Sequence, residues 1–178
     1  NNLKFIKEDH PKYPLNPYAW SKYLFDRWLI NLENKKIDVI GLRLFNVYGS
    51  GEEHKGNHQS VFGKFQTQAK INKKIKLFEK SDKIFRDFIW VGDVCNIIEK
   101  MFKVNDFNIL NLGTGIAPSF YDVAKEYSEI YNSSMEYVPI PKNIINQYQY
   151  YTCADTKKLI SIIGKYKFRT IKEYIYNN

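Results

Sequence analysis

The sequence has few cysteines and histidines and no long apolar run: two Cys and three His occur among its 178 residues. No stretch approaches the ~20 apolar residues that cross a bilayer, and the first ten residues do not resemble a secretion signal. Cys95 and Cys153 form no Cys-x-x-Cys pair, and the histidines lack ligand spacing, so we expect neither a disulfide framework nor a metal site. These absences predict a soluble cytoplasmic protein without a membrane partner.

Positive charge and aromatic side chains are abundant instead. The chain carries 27 Lys and Arg against 19 Asp and Glu, a formal net charge of +8, and 16% of its residues are aromatic. Such a charge suits an anionic partner, for which phosphate groups are candidates. Because the lysines and aromatics are dispersed along the chain, we interpret them as a solvated surface and ordinary packing, and we predict no nucleic-acid partner.

The apolar periodicity predicts helices alternating with buried strands, which is typical of an α/β fold. Pro17 suits the first turn of a helix that ends near Leu32, and Asp93 is predicted to cap another helix. Capping-box patterns begin at Ser119 and Thr170. The predicted strands cover residues 38–45, 75–78, 85–90, 107–112 and 135–138. The predicted helices cover residues 17–32, 60–73, 94–103, 120–130 and a short segment after 170. A turn is predicted at 46–51 and a polar loop at 54–57.

Tyr18 and Lys22 are the first candidates for chemistry. Residues four apart on a helix lie on the same face, so the phenol and the ammonium are expected to lie together. A tyrosine side chain ionises near pH 10 in water, and a nearby cation in a partly desolvated site favours the phenolate that acts as a base. The Tyr-x-x-x-Lys spacing is common by chance, so its context decides between a catalytic pair and a surface tyrosine beside a solvated lysine.

The segments around this helix provide that context. Pro14-Leu-Asn-Pro17 precedes the helix, and Gly41-Leu-Arg-Leu-Phe-Asn-Val-Tyr-Gly49 follows it. Together they resemble the extended short-chain dehydrogenase/reductases. Five further segments make the chain similar to one family within that group, the ADP-glycero-manno-heptose 6-epimerases: Gly51-Glu-Glu-His-Lys-Gly56, Leu77-Phe-Glu-Lys-Ser81, Phe85-Arg-Asp-Phe-Ile-Trp-Val-Gly-Asp93, Asn111-Leu-Gly-Thr-Gly115 and Gln147-Tyr-Gln-Tyr-Tyr-Thr152.

This resemblance implies an α/β chain that forms the C-terminal part of a Rossmann-type doubly wound sheet plus a smaller α/β substrate-binding lobe. Residues 1–50 would be a remnant of the dinucleotide-binding domain, and residues 51–178 mainly the nucleotide-sugar lobe, with some segments returning to the first domain. The glycine-rich cofactor turn of the family lies upstream of the Tyr-x-x-x-Lys helix, so we expect the N-terminal cofactor-binding half to be absent and the 178 residues alone to be inactive. The resemblance also implies a homo-oligomer at full length.

The implied activity is epimerisation of ADP-D-glycero-D-manno-heptose at C6 to its L-glycero form. This reaction belongs to the biosynthesis of the heptose of the lipopolysaccharide core. An NADP cofactor, or NAD, would oxidise that carbon transiently. Tyr18 and Lys55 would be the two acid/base groups, because one group does not readily serve hydroxyls on opposite sides of the sugar. Lys22 would hold the nicotinamide ribose and assist Tyr18. The implied cofactor contacts are Tyr18, Lys22, Val47 and Lys55, and the implied substrate contacts are Asn46, Asn57, Lys64, Phe78, Glu79, Lys80, Ser81, Arg86 and Tyr148.

Some departures from the family pattern and some alternatives accompany these assignments. Asn57 and Lys64 replace a serine and a histidine, and Lys80 replaces a glycine. Phe78 could be an ordinary core residue, and Arg86 could form an ion pair with the adjacent aspartate. The alternative functions are another nucleotide-sugar 4-epimerase or 4,6-dehydratase, or a non-catalytic nucleotide-sugar-binding fragment.

Overall fold

Helices and parallel strands alternate along the chain in the computed structural model, which describes residues 5–10, 12–32, 38–104, 108–141 and 149–178. Three short helical segments of other types lie at Glu53–His58, Gln68–Asn72 and Ser81–Lys83. The α-helices and strands in these ranges are α1 (Pro17–Ile30), β1 (Ile40–Leu44), β2 (Asn46–Tyr48), α2 (Val61–Thr67), β3 (Lys74–Phe78), β4 (Phe85–Arg86), β5 (Phe88–Trp90), α3 (Val91–Met101), β6 (Asn108–Leu112), α4 (Phe120–Tyr131), β7 (Ser134–Val138), β8 (Tyr151–Thr152), α5 (Lys157–Ile163) and α6 (Ile171–Tyr176). The predicted α/β architecture is confirmed.

The strands associate as four parallel pairs. β1 pairs with β6, β2 with β5, β3 with β7 and β4 with β8. Parallel strands need crossover connections, and the helices between them provide these. β2 follows β1 after the single residue Phe45, so the chain passes directly from one strand pair into the next. Asn46 therefore lies at the end of β1, beside the start of β5.

The buried apolar side chains form two cores. The first core contains Tyr48, Phe62, Phe65, Ala69, Ile75, Leu77, Phe88, Val123, Ala124, Tyr127, Tyr174 and Ile175. The second core contains Ile89, Val94, Ile97, Met101, Leu110, Leu112 and Leu159, with Ile40, Leu42 and Val47 packed against it. Residues well beyond position 50 thus pack against β1, while the predicted domain division at residue 50 stays a prediction.

The side chain of Asp87 connects its own segment to two others from a fully buried position. Its carboxylate accepts hydrogen bonds from the backbone amides of Thr114 (2.7 Å), Gly115 (2.9 Å) and Ala154 (3.0 Å), and from the Thr114 hydroxyl (2.8 Å). A Cβ atom at Gly113 would lie 2.6 Å from Asp87 Oδ2. The Gly113–Gly115 loop therefore encloses an internal carboxylate, which its backbone amides help to neutralise by hydrogen bonding.

Three predicted boundaries were wrong because tertiary contacts outweighed local pattern. Residues 46–48, predicted as a turn, form β2 through pairing with β5. The predicted strand at 85–90 is interrupted at Asp87, which turns its side chain inward. The predicted helix at 60–73 begins after the N-cap Ser60, but its last turn widens into the π-helix Gln68–Asn72.

Asp93 does not cap α3 as predicted, because the helix already begins at Val91. The Asp93 carboxylate instead accepts hydrogen bonds from the Tyr166 hydroxyl and the Arg169 amide, both at 2.9 Å. It thereby attaches the C-terminal segment to α3. The capping boxes at Ser119 and Thr170 are both confirmed. β8 and α5 were not predicted.

Candidate functional site

α1 presents the two side chains of the Tyr-x-x-x-Lys pattern. The helix begins with Pro17 in its first turn, and the Asn16 side chain caps it by accepting a hydrogen bond from the Ala19 amide at 2.8 Å. Lys22 Nζ lies 5.1 Å from the centroid of the Tyr18 ring, and Tyr18 is 72% exposed. Among the residues that the structure describes, neither the phenol oxygen nor the ammonium has a hydrogen-bond partner. The two groups therefore converge, and the phenol is open rather than sealed in apolar packing.

An ion pair holds α1 against the strand that follows it. Leu29 is the buried residue of the helix, so apolar burial alone fixes α1 weakly. Arg43 Nε on β1 lies 2.7 Å from Asp26 Oδ2, and Arg43 Nη1 donates to the Glu8 carbonyl, also at 2.7 Å. Both ion-pair side chains are 21% exposed, which makes the contact stronger than a fully solvated pair.

Lys55 lies in the loop between β2 and α2. Gly51 (φ 88°) and Gly56 (φ 51°) adopt left-handed conformations that glycine accepts without steric cost, and they bracket the lysine. The exposed Lys55 ammonium donates to Glu52 Oε1 at 3.0 Å. The side chain of Asn57, in the same loop, lies outside the described part of the structure.

Asn46 and Val47 occupy the junction of β1 and β2. The Asn46 side-chain amide donates to the Asp87 carbonyl at 3.0 Å, and its backbone amide donates to the same oxygen at 3.0 Å. Val47 packs against the second core. Asn46 is thus held in a fixed orientation by the strand junction.

The segment from Phe78 to Ser81 leaves the end of β3. Phe78 is half-buried, Glu79 is exposed and its amide donates to the Val138 carbonyl at 2.8 Å. Lys80 is exposed and has a φ of 62°, a conformation that favours glycine. Ser81 is 1% exposed, and its hydroxyl has no partner within the described residues. The replacement of the family's glycine by Lys80 therefore falls where the backbone is left-handed.

Arg86 is held by backbone carbonyls. Its guanidinium donates to the carbonyls of Phe85, at 2.8 Å, and of Gln149, and it lies 5.8 Å from the centroid of the Phe120 ring. The hydrogen bonds to the adjacent Asp87 carboxylate come from Thr114, Gly115 and Ala154. Arg86 is thereby fixed at the β4–β8 pair.

Lys64 and Tyr148 complete the predicted set. Lys64 is on the exposed side of α2. Tyr148 lies outside the described residues. The structure thus brings Tyr18 together with Lys22, while the predicted binding roles stay predictions.

Pattern analysis missed four residues that support this site: Asp26, Arg43, Glu52 and Asp87. The i,i+3 spacing of Glu52 and Lys55 in a charged loop was a usable indication of their ion pair. No local pattern could pair Arg43 with Asp26, because the contact crosses from a strand to a helix. In the described ranges, no group of three or more His, Cys, Asp or Glu could hold a metal ion, and no helix has the length and apolar character to cross a membrane.

Comparison with known families decides the affiliation. Residues 3–113, more than half of the chain, match the model of the NAD dependent epimerase/dehydratase family. The chain belongs to this family. The similarity to known proteins extends beyond this region, because one curated relative matches 87% of the chain.

Three known proteins illustrate the similarity. ADP-L-glycero-D-manno-heptose-6-epimerase of Brachyspira hyodysenteriae is 46% identical over 160 residues, which cover 87% of this chain and 50% of the relative. The solved Helicobacter pylori ADP-L-glycero-D-manno-heptose-6-epimerase has a TM-score of 0.84 at 24% identity, over 99% of this chain and 54% of its own. The Thermotoga maritima UDP-glucose 4-epimerase, solved with UDP-glucose, has a TM-score of 0.84 at 22% identity, over 98% of this chain and 56% of its own.

These comparisons confirm the similarity to heptose 6-epimerases that the motifs indicated, and the two solved structures confirm the α/β fold of the family. The chain spans about half the length of the relatives it matches. The family description includes a nicotinamide cofactor.

Proposed function

We propose that the protein is part of an enzyme that epimerises ADP-glycero-manno-heptose at C6, between the D-glycero and L-glycero forms. The observation that carries this proposal is the 46% identity, over 87% of the chain, with a curated heptose 6-epimerase. The convergence of Tyr18 and Lys22 on an open helix face supports the reaction type.

Tyr18 is the proposed acid/base group at the first hydroxyl. Its phenolate accepts the C6 hydroxyl proton of one epimer as that carbon is oxidised, and in the reverse reaction the phenol returns that proton. The Lys22 ammonium lies 5.1 Å from the ring centroid, so the two groups can act on the same bound molecule. Because Tyr18 is exposed, this pair is accessible to a bound sugar.

The residues present fit a nicotinamide cofactor. The Tyr18 hydroxyl and Lys22 ammonium lie on one side of α1 without partners among the described residues, so both are able to hydrogen-bond ribose hydroxyls. Val47 at the β1–β2 junction is the further proposed contact, with Lys55. When bound, the cofactor, NADP by resemblance with NAD as the alternative, supplies hydride removal from the sugar carbon and its return.

Lys55 is the proposed second acid/base group. The two epimers carry their C6 hydroxyls in opposite orientations, so a proton donor separate from Tyr18 serves the second one. Lys55 sits in a loop whose conformation is set by two left-handed glycines, and its ammonium is exposed. Among the proposed substrate contacts, which are Asn46, Asn57, Lys64, Phe78, Glu79, Lys80, Ser81, Arg86 and Tyr148, Arg86 provides a planar donor for a diphosphate.

We further propose that turnover needs the portion of the relatives that this chain does not match. The test measures epimerisation of ADP-D-glycero-D-manno-heptose by NMR, with NADP or NAD, for the 178 residues alone and for the full-length gene product. We expect turnover with the latter alone. Equal turnover by the 178 residues would refute this part, and no turnover by either would refute the epimerase proposal.

Another nucleotide-sugar epimerase or dehydratase is the second candidate, favoured by the equal TM-score of 0.84 to a UDP-glucose 4-epimerase. Binding of ADP-heptose, UDP-glucose and dTDP-glucose to the full-length protein, measured by calorimetry, separates the two. We expect the ADP sugar to bind tightest. A preference for a pyrimidine nucleotide would favour the second candidate. Homo-oligomerisation stays a prediction.

A further inference from the structure

Glu52 uses both carboxylate oxygens in the loop that carries Lys55. Oε1 accepts a hydrogen bond from the Lys55 ammonium at 3.0 Å. Oε2 accepts a hydrogen bond from the backbone amide of Ser60 at 3.0 Å. Ser60 is the N-cap residue of α2, so the carboxylate connects the lysine to the start of that helix.

The surroundings leave room for the carboxylate at this position. A Cβ atom on Gly63, in the first turn of α2, would lie 3.2 Å from Glu52 Oε2, closer than most side-chain contacts. The absence of that atom lets the carboxylate lie against the helix. The Glu52 side chain is 14% exposed, whereas the Lys55 side chain is 44% exposed. The glutamate is thus the fixed partner, and the lysine extends from it toward solvent.

The charge of Glu52 is maintained by its partners. Burial raises the pKa of this carboxyl group, but hydrogen bonds from Ser60 and Lys55 outweigh burial and hold the pKa below its usual value. Glu52 is therefore an anion at neutral pH, able to attract the ammonium. Hydrogen bonds between charged groups are stronger than those between neutral groups.

We infer that Glu52 is a positioning residue, which holds the Lys55 side chain at a fixed place relative to α2 for the second acid/base step. This inference rests on the proposed function. A lysine has a long flexible side chain, so an ammonium without an ion-pair partner would sample many positions. Proton transfer needs the donor within hydrogen-bonding distance of the reacting oxygen. Glu52 acts through Lys55 and need not touch the substrate.

The substitution Glu52→Gln isolates the contact with Lys55. The glutamine carbonyl oxygen can still accept the Ser60 amide, which preserves the connection to α2. Its NH₂ group then faces the lysine and cannot accept from an ammonium. Glu53→Gln is the matched control, because Glu53 is the adjacent, exposed carboxylate of the same loop.

The experiment uses the full-length gene product and measures kcat and KM for heptose epimerisation. We expect Glu52→Gln to lower kcat about tenfold, with KM and Tm nearly unchanged, because the donor is misplaced rather than lost. Glu53→Gln should leave kcat unchanged. In a Lys55→Met background, Glu52→Gln should cause no further loss, since its effect passes through the lysine.

The other possible outcomes separate a failure of the Glu52 positioning role from a failure of the Lys55 role. An equal loss of kcat from Glu52→Gln with and without Lys55 would overturn the positioning role, as would a kcat equal to that of wild type. A lowered Tm accompanied by loss in both backgrounds would assign Glu52 to folding of the loop instead. Full activity of Lys55→Met would refute the proposed role of Lys55 itself. A readout without turnover is the Lys55 ammonium signal in ¹⁵N NMR, which should shift or broaden in Glu52→Gln but not in Glu53→Gln.

Discussion

Arg43 on β1 and Asp26 on α1 lie 2.7 Å apart, Nε to Oδ2, and this ion pair joins the strand leading to Asn46 with the helix carrying Tyr18 and Lys22. Arg43 also donates to the Glu8 carbonyl at 2.7 Å. Since Leu29 is the buried residue of α1, the orientation of the Tyr18 helix depends on a polar contact more than on packing. The position of the Tyr18 side chain therefore depends on Arg43, which is not itself one of the candidate site residues.

Asp26→Asn should test this attachment. The amide retains the size of the carboxylate but loses its charge, so we expect about 1–2 kcal/mol lower unfolding free energy in urea, because the pair is partly buried and charge-assisted. Glu129→Gln is the control. It breaks the exposed Lys125–Glu129 pair at 3.8 Å, which should cost less than about 0.5 kcal/mol. Equal effects of the two substitutions would show that the Asp26 contact is no more than a surface ion pair.

Tyr18→Phe should abolish most of the proposed epimerisation. Phenylalanine keeps the ring beside Lys22 but has no proton to exchange, and loss of a positioned acid/base group lowers rates by about 10²–10⁴-fold. Steady-state kinetics of the full-length gene product provide the measurement. Tyr13→Phe is the control, because Tyr13 is an exposed tyrosine just before the same helix, and it should retain wild-type kcat. Retention of activity by Tyr18→Phe would count against Tyr18 as the base.

Lys55→Met should lower kcat by about 10²-fold or more, because methionine keeps much of the stem but has no ammonium. The loss should appear in kcat rather than KM if Lys55 exchanges a proton with the sugar, whereas a loss confined to KM would indicate binding alone. Lys125→Met on α4 serves as the control for removal of an exposed lysine. Since each epimerisation would use one of Tyr18 and Lys55 to remove a proton and the other to deliver one, Lys55→Met should slow the reaction from either epimer.

Much of this fold could be predicted from local pattern, and the exceptions have physical causes. The helix over α1 and both capping boxes depend on residues within a few positions of each other, so sequence alone revealed them. β2 and β8 are strands of two or three residues whose pairing partners are distant in sequence. Aspartate is a favoured N-cap residue, yet the Asp93 carboxylate accepts a hydrogen bond from Arg169 in the C-terminal segment. No local pattern encodes such contacts.

Within the candidate site, local spacing likewise predicted some features, whereas others depend on tertiary contacts. The spacing of Tyr18 and Lys22 predicted their proximity, since helix geometry fixes it. The family resemblance indicated Lys55. The hydrogen bonds from Lys55 and Ser60 to Glu52 could be recognised only from the conformation of the loop. The Arg43–Asp26 contact depends on the packing of a helix on a strand and could not be read from either segment.

Lys80→Gly should stabilise the protein. Lys80 has a φ of 62°, and a residue with a Cβ atom in this region costs about 1–2 kcal/mol, which exceeds the entropic cost of glycine at about 0.5–1 kcal/mol. We expect a net gain of about 0.5–1 kcal/mol in urea unfolding. Lys83→Gly, three residues later in the 3₁₀ segment and without positive φ, should be neutral or destabilising. A loss of stability in Lys80→Gly would mean that the lysine side chain makes a compensating contact.

Gly113→Ala should strongly destabilise the protein. The added Cβ would lie 2.6 Å from Asp87 Oδ2 and 2.8 Å from the Ala154 Cβ atom, so a buried carboxylate with four hydrogen bonds has to move. Overpacking costs about 1–3 kcal/mol, and disruption of a buried charged network adds to it, so we expect a loss of at least about 3 kcal/mol. Urea unfolding is the measurement.

A second substitution in the same network identifies the cause of that loss. Asp87→Asn removes the negative charge without adding an atom near Gly113, and its NH₂ group cannot accept from the surrounding backbone amides. It should also destabilise strongly, and the double variant should lose less than the sum of the two, because both changes disrupt the same hydrogen bonds. Strict additivity would show that the methyl group at residue 113 acts through Ala154 rather than through Asp87.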